Sequence, residues 1–406
     1  MKTPLQNRMA VFSLFLLLAA SALAQDGNKQ VITDQVDGHI FRAKQVATTP
    51  QRLKQIQAPD GFTVTPFASG LNKPRMLEVT PDGFVYATDR DKGLVTLLID
   101  KNNDGKADVM KVVAQRDQMH GITYHDGKLY LITVTQVFTA GIKKDGTLDS
   151  LQLIISNLPD GGQHANRTLH FGPDGKLYIS VGSTCNSCDE PNEENATILQ
   201  FNADGTGRRI FARGLRNTIG FRFQPDTKQL WGFDQGIDWL GDSAQREEIN
   251  LIKENQNYGW PYVYEDGKYD LHASPPNLTY RQYSLQTTYP ELMYTAHAAA
   301  MDWLFYTGKQ WPKEYQNDAI VTMHGSWNRS HPSGYRLVRV HFEKGKPNEI
   351  TDFITGFYNE ADSSMFARVC GLVQLKDGSV LFADDANGFI YRISYNRQPL
   401  VAKRED

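Results

Sequence analysis

The sequence is poor in the features that mark nucleic-acid binding, membrane insertion and helical folds. Its 43 Lys and Arg residues are offset by 46 Asp and Glu residues, the net charge is −3, and no long basic run is present. We therefore expect no nucleic-acid partner and no attraction to an anionic membrane surface. After residue 24, no stretch reaches the roughly 20 apolar residues that a membrane-spanning helix needs. Helical periodicity is also weak there, which favours an all-β fold.

Cysteine is rare as well, with three in the chain. Cys185 and Cys188 form a C-x-x-C pair, and no second pair is present to complete a zinc site. In an exported protein, such a pair is expected to form a small loop disulfide, and a free or redox-active pair is the alternative. Cys370 stands alone and is expected to be buried as a small apolar residue.

The first 24 residues have the composition of a secretory signal peptide. A basic start precedes a short apolar run at 9–20, and small residues up to Ala24 fit a cleavage site. We therefore expect a mature chain that begins at Gln25 and is periplasmic or secreted. Residues 25–57 are polar and lack periodicity, which indicates a lead-in segment before the folded domain.

The dominant feature of the remaining chain is a repeated turn and strand. A turn of the type Pro-Asp-Gly, Asp-Gly or Pro-Asp is followed by alternating apolar residues and then by a small or acidic residue. Asp-Gly favours a tight turn because Gly accepts positive φ and Asp binds the local backbone. The alternation predicts a strand with one buried face. The turn aspartates are Asp82, Asp126, Asp174, Asp226 and Asp377.

The spacing of these turns predicts a β-propeller. The first four aspartates are 44, 48 and 52 residues apart, and about three more such steps precede the last one. Strand repeats of about 40–50 residues are typical of four-stranded antiparallel propeller blades. Six blades fit the spacing if one carries the Pro- and Tyr-rich insertion at 258–300, and seven is the alternative. Because the ring must close, residues 62–68 and 389–395 are expected to share a blade, so that residues 58–406 form a single propeller domain.

Loop residues between the strands are the candidates for chemistry, because propellers bind ligands at one end of the central channel. His164 lies in a polar segment, is expected to be exposed, and would suit a proton acceptor; a surface His without a role is the alternative. Arg216 and Asn217 could grip a carboxylate, and a structural ion pair is the alternative. With Arg329 and Arg368, three arginines on three blades would suit a ligand with several carboxylates, although unrelated surface ion pairs would give the same pattern.

Two acidic loops are candidate calcium sites. Segment 234–261 combines Asp and Glu side chains with Gly-exposed carbonyls, which suits an ion that takes six to eight oxygen ligands. Segment 100–108 resembles the start of an EF-hand loop, with Gly at the sixth position, but Lys111 stands where a bidentate Glu is expected. A solvated turn is the alternative for this second segment. Its candidate ligands are Asp100, Asn102, Asp104 and Asp108.

In combination, these motifs resemble the soluble sugar dehydrogenases that depend on pyrroloquinoline quinone (PQQ), most closely the sorbosone- and aldose-dehydrogenase-like branch. The resemblance covers about residues 58–395. It rests on the order of HANRTLHFGPDGKLYISVGSTCNSC, GLRN, FDQGIDWLGD, EEINLI, NYGWP, HGSWNR and RVCGLVQLKDGSVLFADD. It implies a six-bladed propeller with PQQ and Ca²⁺ as cofactors. The implied reaction oxidises an aldose or sorbosone-like sugar aldehyde at C1 and passes electrons to a periplasmic acceptor.

The resemblance also implies roles for individual catalytic and cofactor-binding positions. His164 matches the base that takes the proton of the C1 hydroxyl while hydride goes to PQQ C5, and Arg216 is its catalytic neighbour. Arg216, Asn217 and Arg368 match contacts to the cofactor. Arg329, with the adjacent Asn328, stands where glucose-oxidising relatives use a Lys.

Metal and substrate positions follow from the same resemblance. The carbonyls of Gly236 and Ile237 match the protein ligands of the cofactor's calcium, and Glu248 and Tyr258 match a separate structural calcium site. On the substrate side, Gln163 replaces an acidic residue of the glucose-oxidising relatives. Gln118 and His120 are the two candidates for a sugar-binding residue from the preceding blade.

Two other functions stay open at this point. A calcium-dependent propeller lactonase would need acidic ligands directed up the channel and would leave the arginines unexplained. A non-catalytic binding propeller would have no use for His164, Arg216, Asn217 and Arg368 together. The long loop that shapes dimers of glucose-oxidising relatives is not evident, so a monomer is expected.

Overall fold

The computed structural model describes residues 37–396, so the predicted signal peptide at 1–24 lies outside the described residues. Among these residues, six sheets each contain four antiparallel strands. Blade 1 comprises Pro74–Val79, Val85–Asp89, Leu94–Ile99 and Val109–Gln115. Blade 2 comprises Gly121–His125, Lys128–Ile132, Val137–Gly141 and Gln152–Ile155. Blade 3 comprises Leu169–Phe171, Leu177–Val181, Thr197–Phe201 and Arg209–Arg213.

The remaining blades complete the ring. Blade 4 comprises Thr218–Phe223, Leu230–Asp234, Glu247–Ile252 and Leu292–Tyr294. Blade 5 comprises Ala300–Phe305, Ala319–Met323, Arg336–Glu343 and Lys346–Ile354. Blade 6 comprises Val369–Gln374, Val380–Asp384 and Phe389–Tyr395, with Phe62–Ala68 as its outermost strand.

Neighbouring blades contact each other in ring order, mostly through their first strands, and blade 6 contacts blade 1. Blades 3 and 4 meet through Leu177–Val181 and Thr218–Phe223. The first strand of each blade is therefore the innermost one. The closing strand pairs antiparallel with Phe389–Tyr395, with Phe62 opposite Tyr395. The all-β fold and the closing pair predicted from the sequence are thus confirmed, and residues 37–396 contain no seventh four-stranded sheet.

The repeated turns join the first and second strands of the blades. Gly175 and Gly378 have φ of +70° and +87°, which residues with a Cβ rarely adopt. The preceding aspartates bind the local backbone, since Asp174 accepts from the Lys176 amide at 3.1 Å and Asp377 from the Ser379 amide at 2.9 Å. The Gly with positive φ and the Asp that binds the local backbone therefore both act in these turns as the sequence predicted.

Apolar side chains between adjacent blades form the core. Trp231 and Phe233 of blade 4 pack in one cluster with Trp303 and Val321 of blade 5, and all four are completely buried. Each such side chain contributes about 2–3 kcal/mol by leaving water. The rigid ring that results fixes the positions of the loops at its ends.

Blade 4 carries the insertion expected at 258–300. Between its third and fourth strands lie a small hairpin, Val263–Tyr264 with Lys268–Tyr269, and a short helix, Tyr280–Ser284. The Thr279 side chain accepts from the Gln282 amide and caps this helix. The insertion thus enlarges one blade without adding another.

Residues 37–57, part of the predicted lead-in, pack on the ring. Lys44–Gln45 pairs in parallel with Ser364–Met365, and a four-residue helix follows at Pro50–Leu53. We call residues 37–46 the N-terminal strap. Within the part of the chain that the structure describes, no helix has the length and apolar character to span a membrane.

Cys185 and Cys188 form the expected disulfide, and Cys370 is free and buried. Because the strands of each blade alternate in direction, residues before each first strand and after each second strand lie at the same end of the channel. We call this the upper end and the opposite end the lower end.

Candidate active site

A cavity of about 230 Å³ opens among loops at the upper end. Its lining includes five residues that the sequence had put forward, drawn from blades 3, 4 and 5. These residues are Gln163, His164, Arg216, Gly236 and Asn328. The ring therefore brings together positions that are up to 165 residues apart in the chain.

His164 ends a short 3₁₀ helix, Gly162–His164, just before the first strand of blade 3. Its Nδ1 lies 3.0 Å from the Ser183 carbonyl and 2.7 Å from the Ser183 hydroxyl oxygen. Since a carbonyl only accepts, Nδ1 donates and Nε2 carries the lone pair. Burial, reinforced by the charge of Arg216, lowers the pKa of His164 to about 3. The ring is therefore neutral at neutral pH and able to accept a proton.

The expectation that His164 is exposed was wrong, because the residue is partly buried. Arg167 holds the loop of His164 in place. Its guanidinium is completely buried and donates to the His164 carbonyl at 2.8 Å, and to the carbonyls of Pro159 and Asp160 at 3.1 and 3.2 Å. Arg167 therefore ties the loop that carries His164 to the blade.

Arg216 is held rigidly beside the cavity, with only 3% of its side chain exposed. One guanidinium nitrogen, Nη2, donates to Asp238 at 3.0 Å and to the Asn186 side chain at 2.7 Å. Nε donates to the Asn186 carbonyl at 2.9 Å. Asn186 lies inside the Cys185–Cys188 loop, so the disulfide belongs to the support of this arginine.

The acidic residue at the end of the sequence repeat positions the arginines. Asp234 ends the second strand of blade 4 and accepts from the amides of Arg216 at 2.9 Å and Asn217 at 2.8 Å. Asp384 occupies the same place in blade 6 and accepts from the Arg368 amide at 2.8 Å. Burial raises the pKa of Asp234 to about 6 and that of Asp384 to about 7.

Asp238 connects two predicted cofactor contacts. It accepts from Arg216 through one oxygen and from the Asn328 side chain at 2.6 Å through the other. The Asn217 side chain donates to Gln235 at 2.9 Å, next to the same loop. Arg216, Asn217 and Asn328 thus form one hydrogen-bonded group around residues 235–238.

The predicted calcium carbonyls lie in this loop. Gly236 lines the cavity, and a Cβ there would stand 2.6 Å from the Gln245 carbonyl, so only Gly fits. Ile237 is buried with Ala196 and Trp260. Among residues 37–396, no backbone amide donates to the carbonyl of Gly236 or Ile237. Both oxygens therefore retain capacity for a hard cation.

The other proposed metal positions are arranged differently. Glu248 is buried, its carboxylate accepts from Gln245 and from the Glu265 amide, and burial raises its pKa to about 8. The Tyr258 hydroxyl instead donates to the Leu251 carbonyl at 2.5 Å. Glu248 and Tyr258, which were predicted to share a structural calcium site, therefore have no hydrogen-bond partner in common.

In segment 100–108, the carboxylates bind amides of their own loop. Asp100 accepts from Gly105 at 2.8 Å, and Asp108 accepts from Lys101 at 2.7 Å. Asn102 and Asp104 accept from amides of the same turn. Within residues 37–396, the one close group of three His, Cys, Asp or Glu ligand atoms is Cys185, Cys188 and Glu190, whose sulfurs are already bonded together.

The remaining predicted residues lie outside the cavity. Arg329 donates to the carbonyls of His331 and Ala296, at 2.9 and 3.1 Å. Gln118 is exposed, with φ of +60°. His120 is buried, its Nδ1 lies 2.8 Å from the Arg167 carbonyl, and burial lowers its pKa to about 3. Arg368 donates to the Gly325 carbonyl at 3.0 Å and lines a separate cavity.

Several site residues were not identified from the sequence. Ser183 orients His164, and Arg167 anchors its loop. Asp238, which the sequence suggested only as part of the calcium segment 234–261, instead joins Arg216 to Asn328. Trp327 lines the cavity as well. Two signals for these residues were available in the sequence. Ser183 stands two residues after a predicted strand, and Arg167 belongs to the HANR motif.

The family model described as TrAA12-like matches residues 56–396. An uncharacterised protein of Borreliella burgdorferi is 30% identical and is matched over 84% of this chain and 91% of its own length. The pyrroloquinoline quinone-dependent pyranose dehydrogenase of Coprinopsis cinerea is 24% identical over 87% of this chain. The chain spans only 56% of that relative's length.

Solved structures share the fold. The holo form of the pyranose dehydrogenase PQQ domain from Coprinopsis cinerea superposes with a TM-score of 0.73 at 21% identity, over 87% of this chain and all of that domain. The calcium structure of a Trichoderma reesei enzyme of carbohydrate-active family AA12 gives a TM-score of 0.74 at 20% identity. That match covers 84% of this chain and 97% of the Trichoderma chain.

Proposed function

We propose that this chain, which belongs to the TrAA12-like family, is a quinoprotein sugar dehydrogenase that uses PQQ and Ca²⁺. The substrate is an aldose or a sorbosone-like sugar aldehyde, oxidised at C1. The observation that carries the proposal is one cavity lined by His164, Arg216 and Gly236, in which His164 is fixed through Nδ1 and the Gly236 carbonyl accepts no backbone amide within residues 37–396. A named relative, the Coprinopsis pyranose dehydrogenase, depends on PQQ, which supports the choice of cofactor.

The residues present fit such a group. A tricarboxylate quinone needs cations, and Arg216 and Arg368 supply two that are preorganised by Asp234 and Asp384. A bound calcium needs oxygen ligands, and Gly236 and Ile237 would provide their carbonyls. When bound, PQQ would supply the two-electron acceptor for the hydride from C1, and calcium would supply Lewis-acid polarisation.

His164 would act as the base. Its Nε2 accepts the proton of the C1 hydroxyl, and Ser183 fixes the ring through Nδ1 so that this nitrogen presents its lone pair. The nearby Arg216 is held by Asp238 and Asn186, so its charge stays in place without moving during turnover. Gln163, which lines the same cavity, would orient the sugar.

The alternatives lack a comparable observation. A lactonase would need converging acidic metal ligands, and residues 37–396 hold no close trio of Asp and Glu oxygens. The electrons would leave to a periplasmic acceptor, in keeping with the signal peptide predicted at 1–24, and the protein would act as a monomer.

The decisive experiment reconstitutes the mature chain from Gln25. Metals are removed, PQQ and calcium are added separately and together, and dye reduction is followed with a panel of aldoses and keto-aldehydes. Activity that needs both additions is expected, because the quinone takes the electrons and the cation polarises it.

PQQ binding is measured separately by fluorescence titration. Failure to bind PQQ in every condition would overturn the proposal and favour a lactonase or a binding propeller. Binding without turnover would retain the cofactor assignment and reject the sugars in the panel.

A further inference from the structure

The N-terminal strap crosses the loops that carry the candidate site. Asp37 pairs with the loop after the second strand of blade 4, since its amide donates to the Trp239 carbonyl at 3.1 Å and its carbonyl accepts from Gly241 at 2.7 Å. The Phe41 amide donates to the Trp327 carbonyl at 2.9 Å. The strap therefore ties the loop of blade 4, with its predicted calcium carbonyls, to the loop of blade 5.

The strap then reaches the segment before blade 6. The Lys44 amide donates to the Ser363 carbonyl at 2.9 Å, and the Val46 amide to the Met365 carbonyl at 3.0 Å. Arg368 follows shortly after this segment. One strap thus touches three loops, each of which carries a candidate cofactor residue.

A second cavity, of about 410 Å³, lies between the strap and the ring. Arg42 of the strap and Arg368 of the ring both line it, and its other lining residues include no Asp or Glu. Arg368 uses Nε and Nη2 for the carbonyls of His324 and Gly325. Arg42 is exposed and has neither a hydrogen bond nor an ion pair with any residue in 37–396, and its Cζ lies 6.0 Å from the Trp327 ring centroid.

No carboxylate lines this cavity, so its two cations make it complementary to an anion, although the charge of the nearby Asp385 also acts on Arg368. Trp327 lines both this cavity and the one that contains His164. Its ring is fixed by an edge-on contact with Trp239, with the centroids 5.0 Å apart. A ligand in the first cavity could therefore extend past Trp327 and place an anionic group between the two arginines.

We propose that the strap is part of the ligand site and that Arg42, together with Arg368, binds a carboxylate of the ligand. The inference rests on the proposed function. The carboxylate has two possible sources, one of the carboxylates of PQQ or the carboxylate of an acidic sugar such as a uronic acid. Arg42 is a binding residue in either case, because it carries the charge that the group would meet.

The test compares Arg42→Gln with the matched control Lys44→Gln. Lys44 is an exposed cation on the same strap, but it does not line the cavity. Two quantities are measured for the full mature chain: the Kd of PQQ by fluorescence titration at fixed calcium, and the KM for a neutral aldose and its uronic acid. Loss of the charged contact is expected to weaken one of them about tenfold, whereas Lys44→Gln stays within about twofold of the parent.

The pattern of loss identifies the source. A higher Kd for PQQ with unchanged KM values assigns Arg42 to the cofactor, and a higher KM for the uronic acid alone assigns it to the substrate. Equal values for Arg42→Gln and Lys44→Gln overturn the inference and leave the proposed function intact. A parent that binds neither PQQ nor the uronic acid overturns both, and thermal melting of Arg42→Gln confirms that the fold is retained.

Discussion

The two ends of the central channel both hold buried charged groups but use them differently. At the lower end, a cavity of about 280 Å³ is lined from all six innermost strands. There, Arg222 pairs with Asp302 at 3.2 Å, and the fully buried Asp302 also accepts from the amides of Trp303 and Leu372, both at 2.8 Å. Glu78 accepts from two further amides. Hydrogen bonds and ion pairs within the protein therefore already use the carboxylate oxygens of Asp302 and Glu78.

At the upper end, the scaffold supports the charged groups and leaves some of their capacity unused. His164 is fixed through Nδ1 with Nε2 spare, the Gly236 carbonyl receives no backbone amide within the described chain, and Arg42 has no partner there. Burial of charge alone therefore does not mark a functional site. Several groups with spare capacity in neighbouring loops are a better indicator than a single unsatisfied atom such as His170 Nε2.

The sharpest way to break this comparison uses one His from each end. His164 and His170 are both buried enough to have a lowered pKa, and His170 Nε2 also lacks a hydrogen-bond partner in the described residues. We expect His164→Ala to lose turnover by about 10²- to 10⁴-fold, because the base is removed. His170→Ala should keep turnover and lower Tm instead, because it leaves a hole beside Phe221.

Steady-state kinetics and thermal melts of both variants decide the matter. Equal losses of turnover would show that the two ends are functionally alike, contrary to the comparison.

A second pair of variants tests buried acids. Asp302→Asn should destabilise the fold by about 2 kcal/mol or more, because it leaves Arg222 without its anionic partner. Asp234→Asn replaces one of the two oxygens that accept from Arg216 and Asn217. We expect it to weaken PQQ binding about tenfold, since a positioning hydrogen bond is lost. Urea unfolding and PQQ titration are run on both, and the pairing would be refuted if Asp302→Asn alone affected PQQ.

Asp384 provides a pH-dependent test. Its Oδ1 accepts the amides of Arg368 and Ala386, whereas Oδ2 is buried with no partner among the described residues. Its pKa, about 7 in the fold, lies above the unfolded value, so its contribution to stability is full below about pH 4 and is lost as pH rises through 7. Asp384→Asn, which keeps one oxygen and removes the charge, should therefore raise Tm at pH 8 by about 2–4 °C and change it little at pH 4.

Differential scanning calorimetry across this pH range gives the measurement. A variant whose Tm follows the parent at every pH would mean that Asp384 is not the titrating group.

The smallest effect is expected from the disulfide. Cys185→Ser with Cys188→Ser opens a loop of only a few residues, so the change in stability should be small. Asn186 within the loop holds Arg216, and its release should weaken PQQ binding about threefold. PQQ titration of the double variant checks this, and a fall in Tm without a change in affinity would assign the bond to stability alone.

Local signals in the sequence were enough to predict most of the fold. Asp-Gly turns and alternating apolar residues depend on neighbours along the chain, and they gave the strands, the blade repeat and the insertion. Closure by residues 62–68 followed from the requirement that a ring has no free edge. The predicted domain limits at 58 and 406 stay a prediction, since residues 397–406 are outside the described range.

The site was predicted less completely, because its contacts join distant loops. Residues 327–329 illustrate this, because the sequence does not reveal that the Asn328 side chain binds Asp238. The neighbouring Arg329 instead donates to the carbonyls of His331 and Ala296. The N-terminal strap was not predicted because residues 37–46 have no periodicity. Their positions are set by backbone hydrogen bonds with three separate loops. Such choices depend on tertiary partners and not on the residue's own neighbours.

The composition of blade 6 has a consequence for synthesis. Its outer strand, Phe62–Ala68, is made early, whereas the three strands that complete the sheet are the last in the described chain. Until those strands leave the ribosome or the export channel, the early strand has an open edge and the first five blades form an arc instead of a ring. A nascent chain of this protein therefore cannot reach its final fold until residues 369–395 have been made and have left the ribosome.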